Sequence, residues 1–219
     1  MSMIYTIRYT NKSRPRSIEY AGKEETTGYY KEPQADGIWL SADGVIGDTV
    51  YDKVHHGGEN KSCYLYGTEN YAYWESRFPA LKFEPGMFGE NLTVDGLKES
   101  EIWIGDIYRI GDAKVQVTQP RQPCYKMGIR FNDDGMPDQF RRSRYPGIYV
   151  KVLEAGHVKP GDKMQMLEQG ASGLSVAAIF ALLYAEQADE EMIQKAIQDS
   201  VLPEKMKQYI LKKYINKTE

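Results

Sequence analysis

Glu101-Ile102-Trp103-Ile104-Gly105-Asp106-Ile107-Tyr108-Arg109-Ile110-Gly111-Asp112 reads as a short apolar run written twice, each copy closed by Gly-Asp. Isoleucine, tryptophan and tyrosine suit a pleated, half-buried surface, and glycine beside aspartate supplies tight turns. The stretch predicts two short strands, over 101–106 and 107–112. The pattern continues on both sides. Residues 113–118, 147–153 and 162–167 downstream, and 3–9 and 37–41 upstream, are β-rich and bounded by turn residues. Many short strands with frequent turns predict a β-barrel or sandwich.

Helical segments interrupt this series. Tyr71, Trp74 and Phe78 recur at helical spacing, which predicts a helix over 68–78 with Thr68 as N-cap. A second short helix is expected over 137–144, ended ahead of Pro146. The composition changes at Gln169-Gly170-Ala171-Ser172-Gly173. Beyond it an Ala-rich apolar run over 175–186, a run capped by Asp189, and a run opened by Pro203 predict three helices. The expected organisation is a β-rich domain over 1–168 and a small three-helix domain over 169–219. The three helices have packing, dimer formation or partner binding as open roles.

The bulk numbers exclude several classes. The 219 residues are 41% hydrophobic and 27% charged, with a net charge of -3. That is an ordinary globular composition, without the basic excess of a chain that coats nucleic acid. No run approaches membrane-spanning length, and residues 1–8 lack the apolar core of a signal peptide. The expectation is a cytoplasmic protein with neither membrane nor nucleic-acid polymer as partner. Two cysteines, Cys63 and Cys124, make no secreted disulfide framework. Cys63, in Ser62-Cys63-Tyr64-Leu65-Tyr66, reads as core; a bridge between the two stays open.

Cys124 lies in Gln119-Pro120-Arg121-Gln122-Pro123-Cys124-Tyr125-Lys126-Met127. The prolines end the preceding strand, and Pro123 is suited to open a helical turn with Cys124 in its first residues. Unpaired helix amides, Arg121 and Lys126 would favour a thiolate there. A buried apolar thiol is the ordinary alternative. His55-His56-Gly57-Gly58 is a glycine loop whose backbone can approach a ligand closely. Lys31, in Thr27-Gly28-Tyr29-Tyr30-Lys31, offers a point charge for a phosphate. Asn91, in Phe88-Gly89-Glu90-Asn91-Leu92, can orient a polar ligand, and Arg142, in Arg141-Arg142-Ser143-Arg144, can meet an anion.

Taken in order, Thr27–Lys31, Gly47-Asp48, His56–Gly58, Phe88–Val94, Gly105-Asp106 and Gln119–Met127 resemble the motifs of MOSC-domain proteins, most closely the bacterial YiiM branch. The segment after the glycine loop, Glu59-Asn60-Lys61-Ser62, departs from the usual family pattern. The resemblance implies a mostly β, barrel-like antiparallel MOSC domain with helices, followed by three helices. It also implies the molybdenum cofactor, a pterin dithiolene carrying a phosphate, with Cys124 as the protein ligand to molybdenum. It implies reduction of small N-hydroxylated compounds such as hydroxylaminopurines and amidoximes, with electrons from a separate flavin or iron–sulfur reductase. On that reading His56 gives protons, while Lys31, Asn91, Arg121, Thr27, Gly57 and Arg142 hold the cofactor. A cofactor or sulfur carrier using a Cys124 persulfide is the alternative.

Overall fold

A computed structural model of the chain describes residues 4–49 and 58–215. The strands are β1 (Ile4–Ser13), β2 (Arg16–Tyr20), β3 (Lys23–Thr27), β4 (Lys31–Pro33), β5 (Ile38–Ser41), β6 (Gly44–Val45), β7 (Cys63–Gly67), β8 (Leu92–Asp95), β9 (Ile107–Ile110), β10 (Ala113–Pro120), β11 (Ile148–Glu154), β12 (Gly156–Val158) and β13 (Lys163–Glu168). The helices are α1 (Thr68–Glu75), α2 (Tyr125–Phe131), α3 (Met136–Ser143), α4 (Val176–Tyr184), α5 (Glu190–Gln198) and α6 (Glu204–Tyr214).

Seven strands close a barrel in the order β13-β9-β10-β11-β7-β8-β1, because β1 pairs with β13 as well as with β8. Closure leaves the ring without a free edge. All its pairs are antiparallel except β7 with β8, so the barrel is mixed. β1 is long enough to serve two structures. Its first half pairs in the ring, and its last three residues pair with β4, setting Ser13 opposite Lys31.

Alternation along each strand separates two apolar regions. Cys63, Leu65, Ile148 and Val150 point into the barrel and join Ile7, Leu92, Val115 and Tyr108. Tyr64, Tyr66 and Tyr149 point the other way. They meet Trp74, Phe88, Phe131 and Phe140 in a second, aromatic cluster on the outer face. Tyr66 stacks on Phe88 at 4.4 Å between centroids and accepts the Trp74 indole N–H at 2.7 Å. This outer cluster is the floor on which the site is built.

The 101–106 expectation is corrected. That segment is a turn with one isolated bridge, Trp103 to Ser175. Its alternation is real, since Ile102 and Ile104 are buried. Its backbone is instead satisfied by the chain entering α4: Ile104 N donates to Leu174 O and Val176 N to Ile102 O, both at 2.9 Å. Alternation reports burial, not the partner. Thr68 is also not a cap. Gly67 holds that position, and the Thr68 hydroxyl donates to Asp95 at 2.7 Å. β10 runs two residues past the expected 118, with Pro120 still opposite Ile148.

Helices α4, α5 and α6 begin where local signals put them. Ser175 and Asp189 each accept an N-cap hydrogen bond, from Ala178 and Met192, and Pro203 precedes α6. Their apolar faces, including Val176, Ile179, Leu183, Ala196 and Ile210, join the same cluster as the barrel interior. Asp106, fully buried, ties the junction by accepting Gly170 N at 2.8 Å. Gly170 is required there, because a Cβ would lie 2.2 Å from Ile104 O. Among the described residues no helix is long and apolar enough to cross a membrane.

Candidate functional site

Cys124 stands where β10 leaves the sheet. Backbone pairing stops at Pro120, three residues cross the outer face, and α2 starts at Tyr125 with Cys124 as its extended N-cap residue. The half-buried thiol lines a cavity of about 580 Å³. Cys63 faces the barrel interior and is also a free thiol; burial pushes it well up.

Arg121 is 3% exposed, an unusual state for a guanidinium. It lies 5.2 Å from the Tyr29 ring centroid and 4.8 Å from that of Tyr64, a cation–π setting. One of its Nη atoms donates to Phe88 O. Its Nε is buried without an acceptor, and so is the Tyr29 hydroxyl. Burial pushes the phenols of Tyr29, Tyr64 and Tyr149 up despite the guanidinium beside them, so they stay neutral. Arg121 and Tyr29 line the same cavity, so it carries two buried polar atoms with no hydrogen-bond partner of good geometry among the described residues.

Lys31 and Asp48 form a buried ion pair, with side chains 7% and 3% exposed. Asp48 also accepts Ser13 N at 2.7 Å, Ser13 Oγ at 2.8 Å and Asn91 Nδ2 at 2.8 Å. Asn91 completes its own set by accepting Tyr64 N at 3.2 Å. Its amide therefore anchors Asp48 to β7 rather than reaching for a ligand. Burial works to raise Asp48, but Lys31 and the Ser13 hydrogen bonds outweigh it and hold the carboxyl below the usual range. Glu90 does the opposite. It is fully buried, burial pushes it up, and it accepts Gly86 N, Phe88 N, Thr93 Oγ1 and the Tyr71 hydroxyl. That network fixes the loop carrying Phe88 and Asn91.

The signs can be tested by titration. A depressed Asp48 contributes stability that is complete above its unfolded pKa, near 4, and is lost as pH falls through the folded value. Glu90 and Glu99, both raised by burial, contribute with the opposite sign and lose their share as pH rises through their folded values. Resistance to denaturant is expected to fall below about pH 4. Asp48→Asn should flatten that acid limb; equal slopes in both proteins would remove Asp48 as its source.

The cavity brings together Cys124, Arg121, Lys31, Asn91 and Thr27 from the sequence-derived set. Thr27 Oγ1 accepts Tyr29 N at 3.1 Å. Gly28, beside it, passes so close to Thr49 that a Cβ would sit 1.7 Å from its carbonyl oxygen. His56 and Gly57 lie outside the described residues. Arg142 is a correction: it is exposed on α3 and absent from the cavity, because that helix buries Met136, Phe140 and Ser143 and turns its arginines outward. Sequence reasoning gave no role to the cage of Tyr29, Tyr64 and Tyr149, nor to the hub function of Asp48. Lys126, 8% exposed, also lines the cavity and has no carboxylate partner among the described residues.

The MOSC domain model matches residues 52–165, which carry the aromatic floor, Asn91, Arg121 and Cys124. The chain belongs to the MOSC domain family. Its similarity runs well past the matched segment. YflK of Bacillus subtilis (strain 168) is 35% identical over 95% of this chain and 94% of its own length. The crystal structure of YiiM from Geobacillus stearothermophilus superposes with a TM-score of 0.80 at 30% identity, covering 95% of this chain and 98% of that one. This MOSC protein therefore carries its C-terminal helices in common with the YiiM branch. A protein of Gibberella moniliformis (strain M3125 / FGSC 7600) named reductase is 28% identical over 81% of this chain, which spans 32% of that protein's length.

Proposed function

We propose that this MOSC protein is a molybdenum-cofactor-dependent reductase of small N-hydroxylated compounds, hydroxylaminopurines and amidoximes among them, that detoxifies base analogues. The residues fit the cofactor. The cavity volume is that of a small-molecule site. Among the described residues Cys124 is its one soft donor, so a metal there must bring further ligands of its own, as a dithiolene does. The carrying observation is the buried Arg121 guanidinium, whose Nε lacks an acceptor among the described residues, in the same cavity as the Cys124 thiol and Lys126, which has no carboxylate partner among them.

When bound, the cofactor supplies two-electron redox chemistry at molybdenum. The chain's own contribution is to hold and to exclude water. Cys124 offers a thiolate ligand. Lys126, Arg121 and the N–H groups that Lys31 does not spend on Asp48 meet the phosphate and pterin. Tyr29, Tyr64 and Tyr149 wall off solvent. Reduction of R–NHOH to R–NH₂ and water consumes two electrons and two protons. His56 is the proposed proton source, since imidazole titrates near working pH. The electrons are proposed to come from a separate flavin or iron–sulfur reductase, and the setting to be the cytoplasm, where thiols persist.

The test is turnover. Cofactor-loaded protein supplied with an artificial electron donor should convert N-hydroxylaminopurine to the aminopurine, or an amidoxime to the amidine. Tightly held cofactor with no turnover on any N–OH compound would instead favour a cofactor carrier. Sulfane sulfur on Cys124 without molybdenum would contradict both the cofactor and the reductase assignments.

A further inference from the structure

Beside the cavity wall, two arginines share one aromatic ring. Arg16 Cζ lies 4.4 Å and Arg130 Cζ 4.6 Å from the Tyr30 centroid. Two like charges are thus held within roughly one Debye length, about 10 Å at 0.1 M salt, where they repel. Neither side chain makes a hydrogen bond or close ion pair with any described residue, and Arg130 Nε is buried without an acceptor among them. Of the nearby carboxylates, Glu84 feels the Arg130 charge but accepts its hydrogen bond from Lys82, at 2.7 Å. Glu25 accepts the Tyr125 hydroxyl. A pair of guanidiniums with no hydrogen-bonded anion among the described residues is a site for one, because the fork of donors matches the oxygens of a phosphate.

The location ties this pair to the cavity. Arg16 is the register partner of Thr27, which lines it. Tyr30 follows Tyr29, and the two rings meet edge to face at 6.2 Å. Arg130 lies one helical turn beyond Lys126 on α2, the same face of the helix. A substrate whose reacting end enters the cavity would leave its far end at this pair.

We propose that Arg16 and Arg130 form a subsite for the phosphate monoester of the substrate, so that N-hydroxylated nucleoside monophosphates are preferred over free bases. The proposal rests on the reductase reading for its chemistry, but its test does not. Adenosine 5′-monophosphate and adenosine serve as unreactive probes, titrated calorimetrically into cofactor-loaded protein, with inorganic phosphate as competitor. The monophosphate should bind at least about tenfold more tightly, as a charge-assisted contact allows. Arg16→Ala, at an exposed residue, and Arg130→Ala should each shrink that gap. Added phosphate should weaken the monophosphate and leave adenosine unchanged.

Equal binding of the two probes would overturn the subsite. So would a gap that survives in both variants, or one abolished by Lys126→Ala alone. A monophosphate no tighter than inorganic phosphate would also overturn it, by showing a free-anion site. Probe preference in a protein that reduces no N–OH compound would keep the subsite and remove the reductase reading. An active reductase without the preference would do the reverse.

Discussion

Cys124→Ala is expected to abolish reduction of N-hydroxylated substrates, by roughly three orders of magnitude or more, while the protein stays folded. The thiol is the cavity's one soft donor among the described residues, and no neighbouring side chain there can replace it. Cys124→Ser should fail as well, because a hydroxyl is a hard and weakly acidic ligand. Stability should change little. As N-cap residue Cys124 makes no side-chain capping bond, so its truncation removes no hydrogen bond from α2. Steady-state turnover together with thermal unfolding separates the two effects. Turnover close to wild type in either variant would end the claim that Cys124 is a ligand.

Asp48→Ala is expected to cost about 3–5 kcal/mol of stability, the penalty for stranding a buried charge. One carboxylate there satisfies Lys31, Ser13 twice and Asn91. Its loss leaves the Lys31 ammonium buried and unpaired and frees Asn91, which tethers the loop to β7. For a chain of this length the thermal midpoint should fall by roughly 10 °C. Lys31→Met added to Asp48→Ala should restore much of the loss, since an apolar side chain leaves no charge to compensate. A double variant no better than the single one would show that the hydrogen bonds to Ser13 and Asn91, not the ion pair, hold this wall.

Features carried by consecutive residues were legible in the sequence. The caps Ser175 and Asp189 and the proline before α6 are local signals and placed the C-terminal helices. Strands β9, β10, β11 and β13 followed from alternation between turns. The segment 101–106 misled for a physical reason: its isoleucines alternate into the core, but its hydrogen-bond partner is the lead into α4. Ring closure was not readable, since it depends on β1 pairing with β13 far along the chain. The site shows the same division. Cys124, Arg121 and Lys31 stood out through their flanking residues. The tyrosine cage assembles from positions 29, 64 and 149, which only the fold brings together. Asn91 lines the cavity, yet its amide is spent on Asp48 and Tyr64, a commitment visible only in three dimensions. Arg142 was misplaced because a basic run on a short helix does not reveal which face is buried.

The central claim is that this cavity holds a molybdenum cofactor through Cys124. The most direct measurement is the molybdenum and pterin content of the wild type and of Cys124→Ala, each purified from a host that makes the cofactor. The proposed function predicts stoichiometric molybdenum and pterin in the wild type and loss of both in the variant. A wild-type chain free of molybdenum and pterin, or a variant that retains both in full, would contradict it.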